Sequence, residues 1–543
     1  MSNNTSTRFS RPGRPETDTR LPYWLLVALL CLMAIGFFGR LAPLADLDGR
    51  LFWQYMSEDG YLMQTVARNM AIGLGMSTAE GTIATNGVQP LATYLFAGLH
   101  WLSGGDKTQG IVLVTVMSAF VALAGAWLLA KVGGQVFRDL PHGRALAWTT
   151  AALWFTAPLI TRHSMNGLET GLYQAAILLV MNFYLERFCG GTQSSGRARI
   201  WLGALLGLAF LSRNDAVFFI AALLLVHLLV PVVREGETLR RRLVDGLVAG
   251  TVSIVVASPW LVNNYLGFGS VVPISGTAQS FGAAVGRNLP WLPAHFFENM
   301  WLWFPIPAVL ERQPLVQVVC VLAIAAVFLG YWFMLGRHTV SRRRHFLTGL
   351  LFSGALATYY GLFFGANWFL PRYLSAASPF LWLFVTGGAY ALFTHLAGRA
   401  SWQPLAVRVV VGVFVLTALG WSANDYRKGT HHMHRQVVEW TQDNVAPDIW
   451  VAAPQTGTLG YFHDRTINLD GKVNPIALRR LIEDGHSLNY VLESPAQYIV
   501  DWVGMAKWVT YKHLNPRFGE VFRVRVEDHE HNLAVLERIS GAR

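Results

Sequence analysis

The first residues able to do chemistry are two adjacent acids. Glu58-Asp59-Gly60-Tyr61 stands directly ahead of an amphipathic stretch, 62–72, that carries Arg68 and Asn69 and is followed by Gly73 and Gly75. Such a pair can supply a general base, hold a metal ion, or cap a helix N-terminus, where acids are electrostatically favoured. Other polar corners interrupt a largely apolar chain. Asn86-Gly87-Val88-Gln89-Pro90 opens a short apolar segment, and Arg162-His163, with Gly167-Leu168-Glu169-Thr170, joins two longer ones. Arg213-Asn214-Asp215 joins the next pair, and Pro371-Arg372-Tyr373 begins a late segment. Each has a plain structural reading: Arg213 can pair with Asp215, and Arg372 can snorkel. Together they gather acids, three arginines and a histidine in one set of corners. That composition suits a site for an anionic ligand arriving from lipid, because charges at membrane depth face a cavity or a partner.

The elements that must position these residues follow from composition. Of 543 residues, 53% are hydrophobic and 14% charged, with formal net charge +11. A soluble chain averages about 25% charged residues. Apolar runs long enough to cross a bilayer recur at roughly 22–39, 110–132, 145–161, 169–186, 200–212, 216–233, 245–262, 315–335, 346–365, 375–395 and 404–422. The expected fold is a polytopic α-helical membrane protein of about eleven spans. The N-terminal arginines ahead of the first run (Arg8, Arg11, Arg14, Arg20) could belong to a signal peptide, but the run is long for one and reads as an uncleaved helix. Lys131, Arg138, Arg144, Arg187, Arg197, Arg199, Arg234, Arg240, Arg241, Arg242, Arg337, Arg342, Arg343, Arg344, Arg399 and Arg408 all fall on the same side as the N-terminus. The positive-inside rule makes that side cytoplasmic, so the N-terminus is in and the C-terminus out. The basic excess then meets anionic headgroups, not nucleic acid. The segment 90–102 is apolar but short, as an interfacial or re-entrant helix would be; counting it as a span would put the arginine clusters outside.

The expected organisation is a cytoplasmic tail at 1–21, a membrane domain at 22–423 and an extracytoplasmic α/β domain at 424–543. A first outer loop occupies 40–109 and a second 263–314. In the C-terminal domain, 437–444 reads as a helix and 450–453, 466–469 and 498–502 as strands. Cys31, Cys189 and Cys320 lie in or beside apolar runs with no metal-clip spacing and read as small hydrophobes. His431, His432 and His434 read as interfacial histidines or as metal ligands, and Asp46-Leu47-Asp48 as a polar turn. Trp291, Phe296, Trp301 and Trp303 could line a ligand groove.

The corners also carry a resemblance. Glu58-Asp59-Gly60-Tyr61, Ala67-Arg68-Asn69 and Gly73-Leu74-Gly75 resemble the opening motif of GT-C-type membrane glycosyltransferases. Asn86 to Leu91, Gly167-Leu168-Glu169-Thr170, 208–215, Phe268-Gly269-Ser270 with Pro273, and Arg372-Tyr373 are similar to later motifs, in order. Gly460-Tyr461-Phe462, Asp464-Arg465 and Leu469-Asp470-Gly471 resemble a stretch in the C-terminal domain of the same relatives. The mycobacterial arabinofuranosyltransferase group looks nearest; lipid A aminoarabinose transferases and protein O-mannosyltransferases look more distant. The chain departs from the pattern at Glu58, where the leading acid is usually Asp, and at Asn214-Asp215, where Pro-Glu is usual. It departs again at Gln279, where the relatives carry a lysine.

The resemblance implies transfer of a sugar, a pentose such as arabinofuranose among the candidates, from a polyprenyl-phosphate donor to a glycan, lipid or protein acceptor. The reaction would occur on the outer face of a bacterial inner membrane. Asp59, with Glu58 second, would be the base, and direct displacement would invert the anomeric centre. Arg68, Asn86, Gln89, Arg162, His163, Glu169, Arg213, Asp215, Arg372 and Tyr373 would bind donor and phosphate. Some relatives place a divalent metal ion near the acidic pair and others do not, so the metal is left open. Three other readings compete: a transporter or flippase of lipid-linked sugars, a polysaccharide ligase or polymerase, and an assembly protein using its C-terminal domain as an interaction module.

Overall fold

The computed structural model describes residues 21–190, 194–232, 237–281, 283–300, 306–397, 403–428, 434–506 and 515–539. Arg8, Arg11, Arg14, Arg20, Arg234, Arg399, Trp301, Trp303, His431 and His432 lie outside the described residues.

A helix stands at each of the eleven expected positions. Among the described residues six stretches are long and apolar enough to cross a membrane: Tyr23–Ala45, Lys107–Val136, Leu239–Phe268, Pro314–Gly336, Asn367–Leu396 and Arg408–Arg427. The chain is a polytopic membrane protein. The other expected positions hold the helices Gly143–Thr156, Thr170–Phe188, Gly196–Ser212, Ala216–Leu229 and Val340–Leu362. These are short or begin among charged residues, and they do not reach the same length and hydropathy. Small residues bring the helices together where apolar contact alone gives no drive in lipid. Gly203 and Gly207 face the helix Leu239–Phe268 so closely that a Cβ on either would come within 2.6 Å of that helix.

At the arginine-rich end, the charges do more than meet headgroups. Arg342 and Arg344, at the start of Val340–Leu362, are buried at 2% and 0% exposure. The last carbonyls of a helix have no partner within it, and these guanidiniums supply one. Arg342 Nε donates to the Val136 carbonyl at 2.9 Å, and its Nη2 pairs with Asp139. Arg344 donates to the carbonyls of Phe188 at 3.0 Å and Val230 at 2.6 Å. Two arginines of one helix thus cap the ends of three neighbours.

At the opposite end the short helices and the C-terminal domain meet. Pro90–Leu102 is a 13-residue helix, about 20 Å long at 1.5 Å per residue, against a hydrocarbon core of about 30 Å. Both of its flanks stay at this end, since Gly87 contacts the Lys472 carbonyl and Lys107 pairs with Asp464 at 3.0 Å. The second loop begins as an extension of Leu239–Phe268 and continues in the helices Ile274–Ser280 and Leu292–Glu298.

The C-terminal domain is built on five strands in the order Thr466–Asn468, Val451–Ala453, Tyr498–Asp501, Leu533–Arg538, Phe522–Asp528. The first three run parallel and the last two form an antiparallel hairpin that sequence patterning does not single out. The helix Arg435–Asn444 and the three parallel strands fall where the sequence puts them, within one or two residues at each end.

The capping arrangement has a measurable consequence. Arg344→Met leaves buried carbonyls without donors, and should cost roughly 2–3 kcal/mol and lower the thermal midpoint in detergent by several degrees. Arg343→Met removes only a contact to the Arg337 carbonyl and should leave the midpoint nearly unchanged.

Candidate functional site

The helix Glu58–Ala71 is capped not by its acids but by Ser57, whose Oγ accepts from the Gly60 amide at 3.0 Å. The same hydroxyl donates to the Asn166 carbonyl at 2.9 Å, and Gly60 packs so tightly there that a Cβ would fall 2.0 Å from that oxygen. This fixes the first turn against the corner holding Glu169. Glu58 and Asp59 therefore occupy first-turn positions, and adjacent helical residues point in different directions.

Asp59 points into a cavity of about 460 Å³. Its Oδ2 accepts from Arg372 Nη2 at 2.9 Å, and its Oδ1 lies 3.5 Å from Lys472 Nζ. Burial raises the Asp59 pKa, but Lys472 and Arg372 outweigh it and hold the carboxyl at about 2. Lys472 responds in the opposite sense: burial lowers its pKa, and Asp59 and Asp470 more than restore it, so it stays charged.

Glu58 faces the C-terminal domain instead. Its carboxylate accepts from the backbone amides of Gly457 and Thr458 and from the Thr458 hydroxyl, with His434 Nδ1 at 3.4 Å. His434 in turn stacks on Trp502 at 4.3 Å. Gly457 is required at this contact, because a Cβ would sit 1.8 Å from the Glu58 carbonyl oxygen.

The parallel strands of the C-terminal domain present their carboxyl ends to this helix, which is where α/β sheets present their ligand-binding loops. The turn after Thr466–Asn468 carries Asp470, Gly471 and Lys472. Gly471 adopts a φ of +79° and has Leu478 Cα 2.9 Å from where a Cβ would be, so only glycine fits the turn that aims Lys472 at Asp59.

A second cluster forms the cavity's inner wall. Arg213 is buried, with Glu169 at 3.0 Å and Asp215 at 2.9 Å. The Tyr360 hydroxyl donates to Asp215 at 2.6 Å, and Tyr360 stacks on Tyr373 at 4.5 Å. Arg213 lies over the Tyr373 ring, whose hydroxyl donates to Gln279 at 2.8 Å. Leu261, Val271, Val272, Phe218 and Tyr359 give the cavity an apolar side.

The expected site residues separate as follows. Asp59, Gln89, Glu169, Arg213, Asp215, Arg372 and Tyr373 all line the cavity. Asn86 stands beside it, its Oδ1 accepting from the Ile274 amide at 3.1 Å. His163 is half-buried near Arg162, Arg213 and Arg372, but is not a lining residue. Arg68 binds the Gly105 carbonyl at 2.8 Å and Asp464 at 3.2 Å, at the contact with the C-terminal domain. Arg162 is half exposed and pairs with Asp425 at 3.1 Å, at a separate small pocket. The structure therefore does not bring Arg68, Arg162 and Glu58 together with Asp59 at the cavity; each makes its contacts elsewhere. Lys472 was missed, although it directly follows Leu469-Asp470-Gly471 in the sequence.

Among the described residues several buried polar atoms beside the cavity lack a hydrogen-bond partner: Arg372 Nε, Gln89 Oε1, Asn86 Nδ2 and Asp215 Oδ1. Such groups are costly unless something else satisfies them, and a bound ligand would.

A divalent ion does not fit at the acidic pair. Glu58 and Asp59 point apart, and the oxygens of Asp59 already face two cations. Trp291 stacks against Arg312 and Phe296 belongs to the bundle core, so neither lines the cavity. Asp46 closes a turn by accepting from the Gly49 amide at 2.9 Å. Cys31, Cys189 and Cys320 form no disulfide.

This arrangement of a membrane bundle, loop helices and a small terminal domain is a GT-C glycosyltransferase fold. ArnT from Cupriavidus metallidurans bound to undecaprenyl phosphate has a TM-score of 0.59 at 14% identity, over 96% of this chain and 98% of that one. The Archaeoglobus fulgidus oligosaccharyltransferase tethered to an acceptor peptide containing the NVT sequon has a TM-score of 0.59 at 12% identity, over 92% and 72%. The oligosaccharyltransferase AglB from Archaeoglobus fulgidus, in complex with an inhibitory peptide and a dolichol-phosphate, gives 0.56 at 12% identity, over 92% and 72%. Residues 88–262 match the family described as dolichyl-phosphate-mannose-protein mannosyltransferase, and 423–533 match a domain of unknown function. No curated protein matches the sequence. None of these matches bears on arabinofuranose.

The depressed Asp59 pKa sets a stability limb. A carboxylate below its ordinary 3.8 contributes fully above about pH 4 and loses that contribution as pH falls through about 2. The difference in thermal midpoint between the wild type and Asp59→Asn should therefore be flat from pH 7 to 5 and shrink below pH 4.

Proposed function

We propose that the chain is an inverting glycosyltransferase of a bacterial inner membrane. It moves a sugar, a pentose such as arabinofuranose being our first candidate, from a polyprenyl-phosphate donor to a cell-envelope glycan, lipid or protein acceptor. In this reading the bundle crosses the membrane eleven times, with the N-terminus inside and both the cavity and the C-terminal domain on the extracytoplasmic face.

The observation that carries the proposal is the ionised Asp59 beside Arg372 in a cavity with an apolar side. The fold shared with solved glycosyltransferases supports it. Asp59 takes the proton of the acceptor hydroxyl as that oxygen attacks the anomeric carbon. The bond from that carbon to the donor phosphate breaks, and its electron pair leaves on a phosphate oxygen. The donor is a phosphodiester; the departing prenyl phosphate is a monoester with a second pKa of about 6. Its growing charge calls for cations more than for a general acid. Arg213 is a poor candidate, since Glu169 and Asp215 already neutralise it. It is better placed to hold Tyr373 and the cavity wall.

The rival membrane readings fit less well. A transporter favours broken helices and polar groups near midspan, whereas the titratable groups of this cavity gather at one end. A ligase or polymerase reading places its chemistry in a large loop between late spans, whereas Asp59 belongs to the first loop.

The test is transfer from a synthetic polyprenyl-phosphate sugar by the purified protein. Asp59→Asn should lower kcat by about 10²–10⁴-fold while the protein remains folded. Near-normal turnover would remove Asp59 as the base.

A further inference from the structure

We propose that Lys472, carried by the C-terminal domain, is a ligand of the donor phosphate, and that Lys472 and Arg372 serve as shared counter-ions that pass from Asp59 to the phosphate during transfer. This rests on the lipid-phosphate donor proposed above. It makes the C-terminal domain a working part of the donor site.

The first support is charge accounting among the cavity's cations. Arg213 has two carboxylates within 3.0 Å and no positive charge to spare. Arg372 and Lys472 share Asp59, with Asp470 3.4 Å from Lys472 on its other side. Arg372 also keeps a buried Nε–H without a partner among the described residues. An incoming phosphate therefore finds its donors at Arg372 and Lys472, on the side of the cavity where Asp59 stands.

The second support is that the lysine is held in place by its surroundings. Asn468 Oδ1 accepts from the Gly471 amide at 3.0 Å, and Asp470 Oδ1 accepts from the Lys472 amide at 2.9 Å. Gly87 touches the Lys472 carbonyl so closely that a Cβ would lie 2.0 Å from it. The side chain itself is only 16% exposed. This backbone is fixed on both sides, and a surface lysine would need neither glycine.

The third support is the reaction's own electrostatics. Transfer moves one proton onto Asp59, which loses its negative charge. The phosphate goes from monoanionic diester to dianionic monoester, which gains one. The acceptor's O–H bond and the bond from the anomeric carbon to the phosphate break, and one bond from the acceptor oxygen to that carbon forms. No further reactant is needed. The total charge beside Arg372 and Lys472 stays constant, so the same two cations serve reactant and product. A carboxylate held by two cations is also a weak base, and drawing those cations to the phosphate restores its basicity when a donor is present.

The experiment titrates undecaprenyl phosphate into the purified full-length protein in detergent, with phosphatidylglycerol as a second anionic lipid. Asp59→Asn mimics the neutral, protonated carboxyl and frees both cations, so it should bind undecaprenyl phosphate at least about tenfold more tightly than the wild type. Lys472→Gln should bind at least about tenfold more weakly, and Lys472→Arg should recover most of the affinity. The double variant should lose the gain seen with Asp59→Asn alone. Phosphatidylglycerol binding should not respond to either residue.

A folded Lys472→Gln protein with wild-type affinity overturns the proposal. So does an Asp59→Asn protein that binds no more tightly, a result that decides the matter even if Lys472→Gln fails to fold. Equal responses with phosphatidylglycerol also overturn it, because the lysine would then attract any anionic lipid. Failure of the wild type to bind undecaprenyl phosphate at all strikes the donor reading itself, and is thereby distinguished from failure of the lysine's role.

Discussion

The rest of the site depends on one buried carboxylate held between two cations from distant parts of the chain. Asp59 belongs to the first loop, Arg372 to the start of a late helix and Lys472 to the C-terminal domain. Burying a charge without partners is expensive. Asp59 can stay ionised in its cavity only when all three segments converge. The surrounding contacts serve that convergence: Ser57 and Gly60 seat the helix on the Asn166 corner, Glu58 binds the backbone at Gly457 and Thr458, and Gly87 admits the Lys472 backbone. Gly87 and Gly457 stand where a side chain would separate the first loop from the C-terminal domain, and Gly60 where one would part the helix from the Asn166 corner.

The arginine-rich end of the bundle solves a related problem. Helix termini leave carbonyls unpaired, and lipid offers them no water. Arg342 and Arg344 reach inward and satisfy those carbonyls, so that one helix fastens three others. Arginines therefore do two kinds of work at the two ends. At one they satisfy backbone and give rigidity. At the other Arg372 faces a cavity and keeps a donor unspent.

Much of the architecture was legible because membrane helices announce themselves as apolar runs, and a helix occupies each predicted position. Pro90–Leu102 is the short 13-residue helix that its length and the arginine distribution predict. The parallel strands of the C-terminal domain were found from short apolar runs, but the final hairpin was not. Most residues of Phe522–Asp528 are exposed or half-buried, so that strand lacks the strong apolar signal of a buried one. The site was legible only in part, for a geometric reason. Sequence places residues along the membrane normal but says little about direction around a helix axis. Arg68, Arg162 and Glu58 make their contacts away from the cavity that Asp59 enters. Lys472 is a single lysine in a polar turn, and its 3.5 Å approach to Asp59 is visible only in the structure. Gln279, where relatives carry a lysine, lines the same cavity as Lys472, which comes from the C-terminal domain far along the chain.

The same geometry bears on stereochemistry. A retaining transfer by double displacement needs a nucleophilic carboxylate on the anomeric face in addition to an acid or base. The cavity's other carboxylates are Glu169 and Asp215, and both are bound to the buried Arg213, with Asp215 also accepting from Tyr360. Freeing either as a nucleophile would leave that guanidinium short of a partner in a buried wall, a cost of several kcal/mol. Asp59 is different, because its partners are the cations that a phosphate would claim. In the proposed reading it is the carboxylate that the donor can release, and one releasable carboxylate is what a single displacement with inversion requires.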